Sequence, residues 1–212
     1  MKVVVISDTH NKHKELSIPK CDILIHAGDA TSLGREHEVR NFAKWFEKQP
    51  ARHKFFVPGN HELNFEKHLP LSKTWFEEAC PSGKLLIHEG IEVEGVKMFF
   101  SPYTPTFYNW AFMRDRGRHI GKKWDDIPNG LDILITHGPP YGILDVSIYD
   151  KVHCGCEELL KEVYAKKPRH HAYGHIHFYG GQTHSENGTE FHNASVCDEG
   201  YEPTNKIIEF EV

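Results

Sequence analysis

Acidic, amide and imidazole side chains follow short apolar runs at five places in the sequence. The run Ile23, Leu24, Ile25 leads through His26, Ala27 and Gly28 to Asp29. The four other runs lead to Asp8 and His10, to Asn60 and His61, to His137, and to His175 and His177. In open α/β sheets, ligands bind in the crevice beyond the carboxyl ends of the strands. Five such endings therefore predict one site assembled from loops that are far apart in the chain.

The residue types at these endings are those that bind transition metals. Apart from His61 they comprise two carboxylates, one amide and four imidazoles: Asp8, His10, Asp29, Asn60, His137, His175 and His177. A structural zinc site closes at four ligands and is usually rich in thiolates. We therefore predict two ions that share Asp29. Two ions about 3.5–4 Å apart clamp the attacking and leaving oxygens of a phosphoryl displacement and lower the pKa of a water held between them. His61 remains free to act as an acid.

Each ending also has an ordinary structural interpretation. Asp8 is compatible with a turn residue that caps its own backbone, beside a surface His10. Asn60 is compatible with the N-cap of a following helix. His175 and His177 are compatible with one polar face of a strand. Glu62 is predicted to orient His61 or to begin a helix rather than to bind metal.

Hydrophobic periodicity predicts the elements that position these residues. In the first third of the chain, predicted strands alternate with predicted helices. This order favours parallel strand pairing with right-handed crossovers. Its helix carries Val39, Phe42, Ala43 and Phe46 on one stripe. The predicted strands are residues 2–7, 23–28, 53–57, 84–88, 91–93, 96–101, 131–136, 169–173, 189–194 and 206–212, and the predicted helices are residues 35–49, 73–79 and 156–165.

Further expectations concern strand pairing and one loop. Residues 84–101, with turns at glycine, predict an antiparallel meander. Residues 189–194 and 206–212 are expected to be edge strands. Cys154 and Cys156 flank a single residue, which is not the spacing of zinc or thioredoxin sites, and we expect a loop entering a helix there rather than a metal or redox pair.

The most aromatic and basic loop of the chain lies at residues 107–118. It contains Phe107, Trp110, Arg114 and Arg116. One interpretation is an insert that contributes to the core. The other is a lid whose rings stack on a base and whose arginines pair with phosphate.

Composition limits the class of protein. The 212 residues suit a single domain spanning 1–212, and the formal net charge of −5 comes without a long basic run. Duplex nucleic acid is therefore not an expected partner. No apolar stretch approaches the roughly 18 residues of a membrane span. Five cysteines without framework spacing and a strand-like start at Met1 predict a soluble protein of the reducing cytoplasm. Nothing in the sequence predicts an oligomeric state.

The motifs, taken in order, resemble a known family. Asp8-x-His10, Gly28-Asp29, Gly59-Asn60-His61-Glu62, His137 and Gly174-His175-x-His177 resemble the signature of calcineurin-like metallophosphoesterases. Residues 23–29, 136–140, 193–195 and 203–205 resemble the branch of brain metallophosphoesterase-domain-containing proteins and their microbial relatives.

The resemblance implies a fold and a ligand set. The fold would be a four-layer α/β/β/α sandwich of two mixed sheets flanked by helices. One metal would be held by Asp8, His10, Asp29 and His177, and the other by Asp29, Asn60, His137 and His175. His61, Asn60 and Asp29 would be the catalytic residues, with His61 protonating the leaving group. The ions expected are Mn²⁺ in vitro, with Fe, Zn²⁺, Co²⁺ or Ni²⁺ as alternatives.

The resemblance also implies a substrate class. We expect small phosphodiesters, with cyclic nucleotides among them, to be hydrolysed by a hydroxide bridging the two metals. Phe107, Trp110, Arg114 and Arg116 are the candidate substrate-binding residues. The alternatives are a phosphomonoesterase, a nuclease for short substrates, and a non-catalytic scaffold that retains the fold.

Two departures from the wider family refine this expectation. Residues 30–34 after Asp29 lack the acidic pair found in many members, which disfavours a phosphoprotein substrate. Some vertebrate members of the resembled branch carry Gly where this chain has His175, so His175 implies full occupancy by two metals.

Overall fold

The computed structural model describes residues 1–212 and contains thirteen strands and five α-helices. The helices are α1 (Glu36–Glu47), α2 (Leu63–Lys67), α3 (Leu69–Ala79), α4 (Arg118–Trp124) and α5 (Glu157–Lys166). The strands are β1 (Lys2–Ile6), β2 (Cys21–His26), β3 (Ala51–Phe56), β4 (Gly83–Leu85), β5 (Glu89–Val93), β6 (Val96–Ser101), β7 (Thr104–Pro105), β8 (Met113–Arg114), β9 (Ile133–Thr136), β10 (His170–Tyr173), β11 (Thr183–Glu186), β12 (Thr189–Asn193) and β13 (Ile208–Glu211).

The first sheet has the order β13-β1-β2-β3-β4. Strands β1 to β4 run parallel, and β13 closes one edge antiparallel to β1. Val3 lies opposite Ile23, and Ile25 lies opposite Phe55. Because parallel strands end at the same edge, this register brings the residues after β1, β2 and β3 together.

The second sheet has the order β11-β12-β10-β9-β6-β5. Its four central strands run parallel, and β11 and β5 pair antiparallel at the two edges. The sheets meet at an isolated bridge between Ser7 and Ser195. This contact places the loops after β9 and β10 beside the loops after β1 and β2.

Three apolar clusters separate four layers. The middle cluster lies between the sheets and includes Val3, Ile25 and Ile135, all fully buried. The outer clusters pack helices α1 and α3 on the first sheet through Phe42 and Phe76, among others, and helices α4 and α5 on the second sheet. The α/β/β/α sandwich of two mixed sheets is therefore confirmed. None of the helices is long and apolar enough to cross a membrane.

The expected meander over residues 84–101 is wrong in its first strand. β4 pairs parallel with β3 in the first sheet, whereas only β5 and β6 form an antiparallel hairpin in the second. Leu85 and Leu86 are both buried, in the outer cluster and the inter-sheet cluster respectively, so the chain passes from one sheet to the other here. Burial on two different faces looks like one continuous strand in the sequence.

The expectation that residues 189–194 form an edge strand is also wrong. Strand β11 covers β12, and all four of its residues are exposed. An exposed polar strand lacks hydrophobic alternation, but Asn187 and Gly188 at positive φ form the hairpin turn that a two-residue Asn-Gly loop signals. Helices α2 and α4 were not predicted, and α3 begins four residues before the predicted start at residue 73.

Candidate metal centre

Left-handed backbone conformations turn the predicted ligands out of their strands. Asp8, His10, Asp29 and His175 have φ of 54°, 40°, 55° and 71°. Such values are uncommon outside glycine and cost on the order of 1 kcal/mol or more each. These conformations turn the chain sharply just beyond a strand. Side chains that would alternate between the two faces of a regular strand can therefore point to one place.

Two glycines allow the loops to approach closely. Gly28 has φ of +106°, and a Cβ atom there would overlap His137 and the backbone of Gly59. A Cβ atom at Gly59 would overlap both Asp29 and His137. Glycine at these positions therefore permits the loops after β2, β3 and β9 to pack at backbone contact distance.

Asp8, His10 and His177 form the first group of metal-ligating atoms. Their candidate donor atoms lie within 4.8 Å of one another. Asp8 Oδ1 is 3.5 Å from His177 Nε2 and 4.0 Å from His10 Nε2. The other carboxylate oxygen, Asp8 Oδ2, accepts hydrogen bonds from the His175 backbone N–H and the Ser195 hydroxyl at 2.9 and 2.8 Å.

Asp29, His137 and His175 form the second group. His137 Nε2 lies 3.3 Å from Asp29 Oδ2 and 2.8 Å from Asn60 Oδ1. Asn60 therefore adds an uncharged oxygen to this group. Asp29 also lies within 4.8 Å of His10 and His61, so it adjoins both groups. The structure brings all seven predicted metal ligands into one cluster around Asp29.

Backbone carbonyls fix the orientation of two of these imidazoles. His137 Nδ1 donates to the Ala27 carbonyl and His177 Nδ1 donates to the Asp198 carbonyl, each at 3.0 Å. The proton is thereby held on Nδ1, and Nε2 faces the cluster. This is the arrangement by which metal-binding histidines are usually oriented.

The cluster is buried and strongly polarised. Burial opposes ionisation of Asp8 and Asp29, but the surrounding histidines hold the pKa of both carboxyls below the usual range. Burial likewise opposes charge on His137 and His177, yet the adjacent aspartates raise the pKa of each imidazole to about 9. Without a metal, two imidazolium ions thus balance the two carboxylates.

Burial dominates at the other two imidazoles. It lowers the pKa of His10 to about 4 and that of His175 to about 3. Both are therefore neutral near pH 7, the form in which histidine binds a metal.

The donor set fits a pair of divalent cations. Asp8 Oδ1 is fully buried and has no hydrogen-bond partner. A buried carboxylate oxygen that accepts no hydrogen bond is costly. The polar atoms near Asp8 Oδ1 are the Nε2 atoms of His177 and His10. A cation between Asp8, His10 and His177 would satisfy this atom. The mixed nitrogen and oxygen donors suit transition metals such as Mn²⁺, Fe, Zn²⁺, Co²⁺ or Ni²⁺.

His61 lies at the mouth of the cluster. Its Nδ1 donates to the Ser32 carbonyl at 2.7 Å, and its Nε2 is 3.9 Å from Asp29 Oδ2. The side chain is 18% exposed, whereas those of His137 and Asp29 are 0% and 3% exposed. The ring stacks on Trp110 with centroids 4.3 Å apart. His61 is thus held beside the buried ligands, with Nε2 on the side of Asp29 and the ring partly exposed.

Glu62 has a structural role that the sequence analysis underestimated. Its carboxylate is fully buried and accepts hydrogen bonds from the backbone N–H groups of Asp29, Gly59 and Thr31 and from the Thr31 hydroxyl. Burial and the charge of Asp29 raise its pKa to about 7, while these donors oppose the rise. Glu62 clamps the loops after β2 and β3 together. It also precedes α2, so Asn60 is not the N-cap of that helix.

Residues 107–118, together with Thr106, form what we call the rim segment. Trp110 stacks on His61, and the Phe107 ring lies 5.2 Å from the His175 ring. The Ala111 backbone N–H donates to the Asn60 carbonyl. The aromatic part of the segment therefore borders the cluster.

The structure pairs the two arginines that were predicted to bind substrate with glutamates. Arg114 pairs with Glu66 at 3.0 Å and lies over the Tyr103 ring. Arg116 pairs with Glu157 at 2.6 Å and donates to the carbonyls of Gly155 and Cys154. These glutamates belong to α2 and α5, and their carboxylates occupy the two guanidinium groups.

Tyr201 also borders the cluster, and the sequence did not predict this position. Its ring lies edge-on to His10 and His177, with centroids 4.9 and 5.4 Å away. It is 49% exposed and has φ of 61°. A single tyrosine in a polar loop gives no local signal of this position.

The loop before α5 agrees with the prediction made for Cys154 and Cys156. Cys156 is the N-cap of α5, and its Sγ accepts a hydrogen bond from the Leu159 N–H. All five cysteines are free.

Comparisons with known proteins agree with this geometry. Human metallophosphoesterase domain-containing protein 1 is 38% identical over 98% of this chain and 69% of its own length. A UPF0046 protein of Caenorhabditis elegans is 36% identical over 93% of this chain and 76% of its own length.

Solved structures share the fold at low sequence identity. Phosphopantetheinyl hydrolase from Mycobacterium tuberculosis superposes with a TM-score of 0.65 at 16% identity, covering 99% of this chain and 95% of that one. An archaeal phosphodiesterase superposes with a TM-score of 0.51 at 17% identity, covering 99% of each chain. The sequence profile of the calcineurin-like phosphoesterases matches residues 1–179. The chain therefore belongs to the calcineurin-like metallophosphoesterase family.

Proposed function

We propose that this protein is a phosphodiesterase that hydrolyses small phosphodiesters, cyclic nucleotides among them, with two divalent transition metal ions. The observation that carries the proposal is the pair of adjacent ligand groups that meet at Asp29, with His61 at their mouth. One ion would be held by Asp8, His10, Asp29 and His177, and the other by Asp29, Asn60, His137 and His175. Bound there, two such ions would polarise the phosphoryl group and lower the pKa of a water molecule.

His61 is suited to protonating the leaving group. Hydrogen bonding of Nδ1 to the Ser32 carbonyl leaves Nε2 as the nitrogen that faces the cluster. A catalytic acid must reach the proton acceptor within hydrogen-bond distance in a plausible substrate pose. The position of His61 beside Asp29, with partial exposure, allows a substrate oxygen to lie between the buried ligands and this ring.

The charge around the cluster supports a diester rather than a monoester. A diester carries one negative charge near neutral pH, whereas a monoester carries up to about two because its second pKa is near 6. Arg114 and Arg116, two of the three arginines of the rim segment, are paired with Glu66 and Glu157. Neither of these two guanidinium groups is therefore free to bind the additional charge of a monoester.

Aromatic side chains support a planar group on the substrate. Trp110, Phe107 and Tyr201 border the cluster on different sides. Stacking of a base on such rings contributes roughly 1–3 kcal/mol and tolerates different bases. A cyclic nucleotide offers both the diester and the planar base.

The proposed setting follows from the same residues. With a net charge of −5, the protein has no overall attraction for duplex nucleic acid, and we propose a small-molecule partner and no membrane partner. Free cysteines suit a reducing compartment such as the cytoplasm.

The test is a screen of metals against substrates. Metal-free protein is reconstituted separately with Mn²⁺, Zn²⁺, Co²⁺, Ni²⁺ and Fe²⁺, and kcat/KM is measured on bis-p-nitrophenyl phosphate and on p-nitrophenyl phosphate. We expect metal-dependent turnover with the diester preferred, and then turnover of cyclic nucleotides. Equal or faster turnover of the monoester would support a phosphomonoesterase instead. Absence of turnover with every metal would favour a non-catalytic scaffold.

A further inference from the structure

A second group of histidines lies on the second sheet, outside the metal centre. His170 begins β10, and Glu190 and His192 lie on the neighbouring strand β12. His170 is in register with Glu190, and Ala172 is in register with His192. All three polar side chains therefore project from one face of the second sheet. His170 and His175 are five positions apart, which corresponds to roughly 16 Å along an extended chain.

The three side chains converge on one point. His170 Nδ1 lies 3.1 Å from His192 Nε2 and 3.5 Å from Glu190 Oε2. One ligand atom from each residue lies within 4.8 Å of the others. Two imidazole nitrogens and one carboxylate oxygen are the three protein ligands found in several zinc sites that keep an open position.

Packing holds the two rings in place. Phe210 of β13 stacks on both rings, with centroids 4.1 Å from His170 and 4.7 Å from His192 and interplanar angles of 14° and 10°. His170 is 7% exposed and His192 is 3% exposed. Little rotamer freedom would therefore be lost if the two rings bound an ion together.

The hydrogen bonding of this pair is incomplete. His192 Nδ1 is buried and has no partner. A neutral pair can share only one proton between His170 Nδ1 and His192 Nε2, while burial lowers the pKa of both imidazoles. Both rings are thus in the neutral form that binds a metal at pH 7.

An open cavity gives access to this group. Its volume is about 380 Å³, and His170, Glu190, Phe210 and Glu211 are among the lining residues. Glu190 is exposed on the cavity side. An ion can therefore enter from solvent. The entrance carries the carboxylates of Glu190 and Glu211 and the guanidinium group of Arg169, which pairs with Asp132 at 3.4 Å.

We propose that His170, Glu190 and His192 form a separate divalent metal site that binds Zn²⁺. Imidazole ligands suit Zn²⁺, and the affinity of such a site for Zn²⁺ exceeds that for Mn²⁺. The site links β10 to β12 beneath Phe210 of the other sheet. Because the unfolded chain does not hold these residues together, binding stabilises the folded protein.

Zinc content tests the site directly. Wild-type protein and the variants Glu190→Gln and His192→Gln are dialysed against the same free Zn²⁺ concentration, and the bound metal is measured by mass spectrometry. We expect each variant to retain one zinc ion fewer than wild type, or to bind that ion at least about tenfold more weakly. Because Glu190 is exposed, its substitution leaves the core intact even if His192→Gln perturbs packing.

The matched control is His184→Gln. His184 lies on the adjacent strand β11 and pairs with the exposed Glu186 at 2.9 Å, so it represents an ordinary surface His–Glu pair. We expect this variant to retain the zinc content of wild type. If it loses as much zinc as Glu190→Gln, the bound ion is adventitious and the proposal is wrong.

Thermal unfolding supplies a readout that does not depend on the dinuclear centre. In an Asp29→Asn background, added Zn²⁺ is expected to raise Tm, and Glu190→Gln in that background is expected to reduce the shift. Unchanged zinc content and an unchanged shift in both Glu190→Gln and His192→Gln would overturn the proposal. These measurements do not require hydrolytic activity, so they are independent of the proposed function.

Discussion

The metal centre and the rim segment are built in different ways, although they touch each other. In the metal centre, His137, His177 and His61 are each oriented by a hydrogen bond to a backbone carbonyl. In the rim segment, Trp110 and Phe107 contact the centre through ring faces alone. The predicted metal ligands and His61 are therefore held by hydrogen bonds to the backbone, whereas the candidate substrate-binding rings are held by packing.

Because of this difference, we expect the metal centre to govern the rate of the reaction and the rim segment to govern the affinity for substrate. Changing a ligand disturbs several loops that converge on Asp29, since each loop is held by the others. Changing an aromatic residue of the rim segment removes one contact surface. Substitutions in the centre should therefore change kcat strongly, and those in the rim segment should change KM moderately.

The largest effect is expected for Asp29→Asn. The substitution removes the charge shared by the two ligand groups but keeps an oxygen able to accept the His61 N–H bond. We expect kcat/KM on bis-p-nitrophenyl phosphate to fall on the order of 10³-fold, with reduced metal content. A loss of less than about tenfold would contradict the central position of Asp29.

His61→Ala should come next, and its effect should depend on the leaving group. We expect a loss of about 10²-fold for an alkyl ester, because a poor leaving group requires a proton, and a much smaller loss for nitrophenyl esters. The measurement is kcat across a series of leaving groups. An equal loss across the series would assign a binding role to His61.

His175→Gly tests the second metal. Glycine accepts the φ of 71° at this position, so the loop should keep its conformation. We expect one bound ion fewer and a loss of turnover of roughly 10- to 100-fold, comparable with the loss of other metal-supporting groups. Unchanged metal stoichiometry and rate would show that His175 is not a ligand.

Metal affinity should increase with pH. The pKa values of His137 and His177 are raised to about 9 without metal, so each imidazolium must lose a proton before its nitrogen can bind an ion. One proton released per ion gives about a tenfold gain in apparent affinity per pH unit below pH 9. Calorimetric titrations between pH 6.5 and 8.5 measure this slope. A flat profile would contradict the raised pKa values.

The smallest effects are expected in the rim segment. Trp110→Ala removes the ring that stacks on His61, and we expect KM for a cyclic nucleotide to rise about 3- to 10-fold, equivalent to roughly 0.5–1.5 kcal/mol for an aromatic pair. Arg116→Ala is the matched control from the same segment, because its guanidinium pairs with Glu157. An effect of Arg116→Ala larger than that of Trp110→Ala would reverse the roles assigned to these residues.

Local sequence patterns predicted most of the metal centre. Consecutive apolar residues predicted β1 and β2, and the residue types beyond them predicted that Asp8 and Asp29 lie in one cluster of candidate ligands. Hydrophobic periodicity did not predict the strand pairing correctly where the chain passes from one sheet to the other, between Leu85 and Leu86. It also missed β11, a strand whose residues are all exposed. At Leu85 and Leu86 the sequence looks like one continuous strand although the chain changes sheets, whereas β11 lacks hydrophobic alternation although its backbone pairs with β12.

By itself, the sequence determined which residues are candidate metal ligands, because their types and their positions at strand ends are local properties of the chain. The tertiary structure alone decided the partners of individual side chains. It placed Glu62 across two loops, paired Arg116 with Glu157, and brought His170 beside His192. These contacts depend on strand register and loop packing between distant residues, which are fixed only when the whole sandwich assembles.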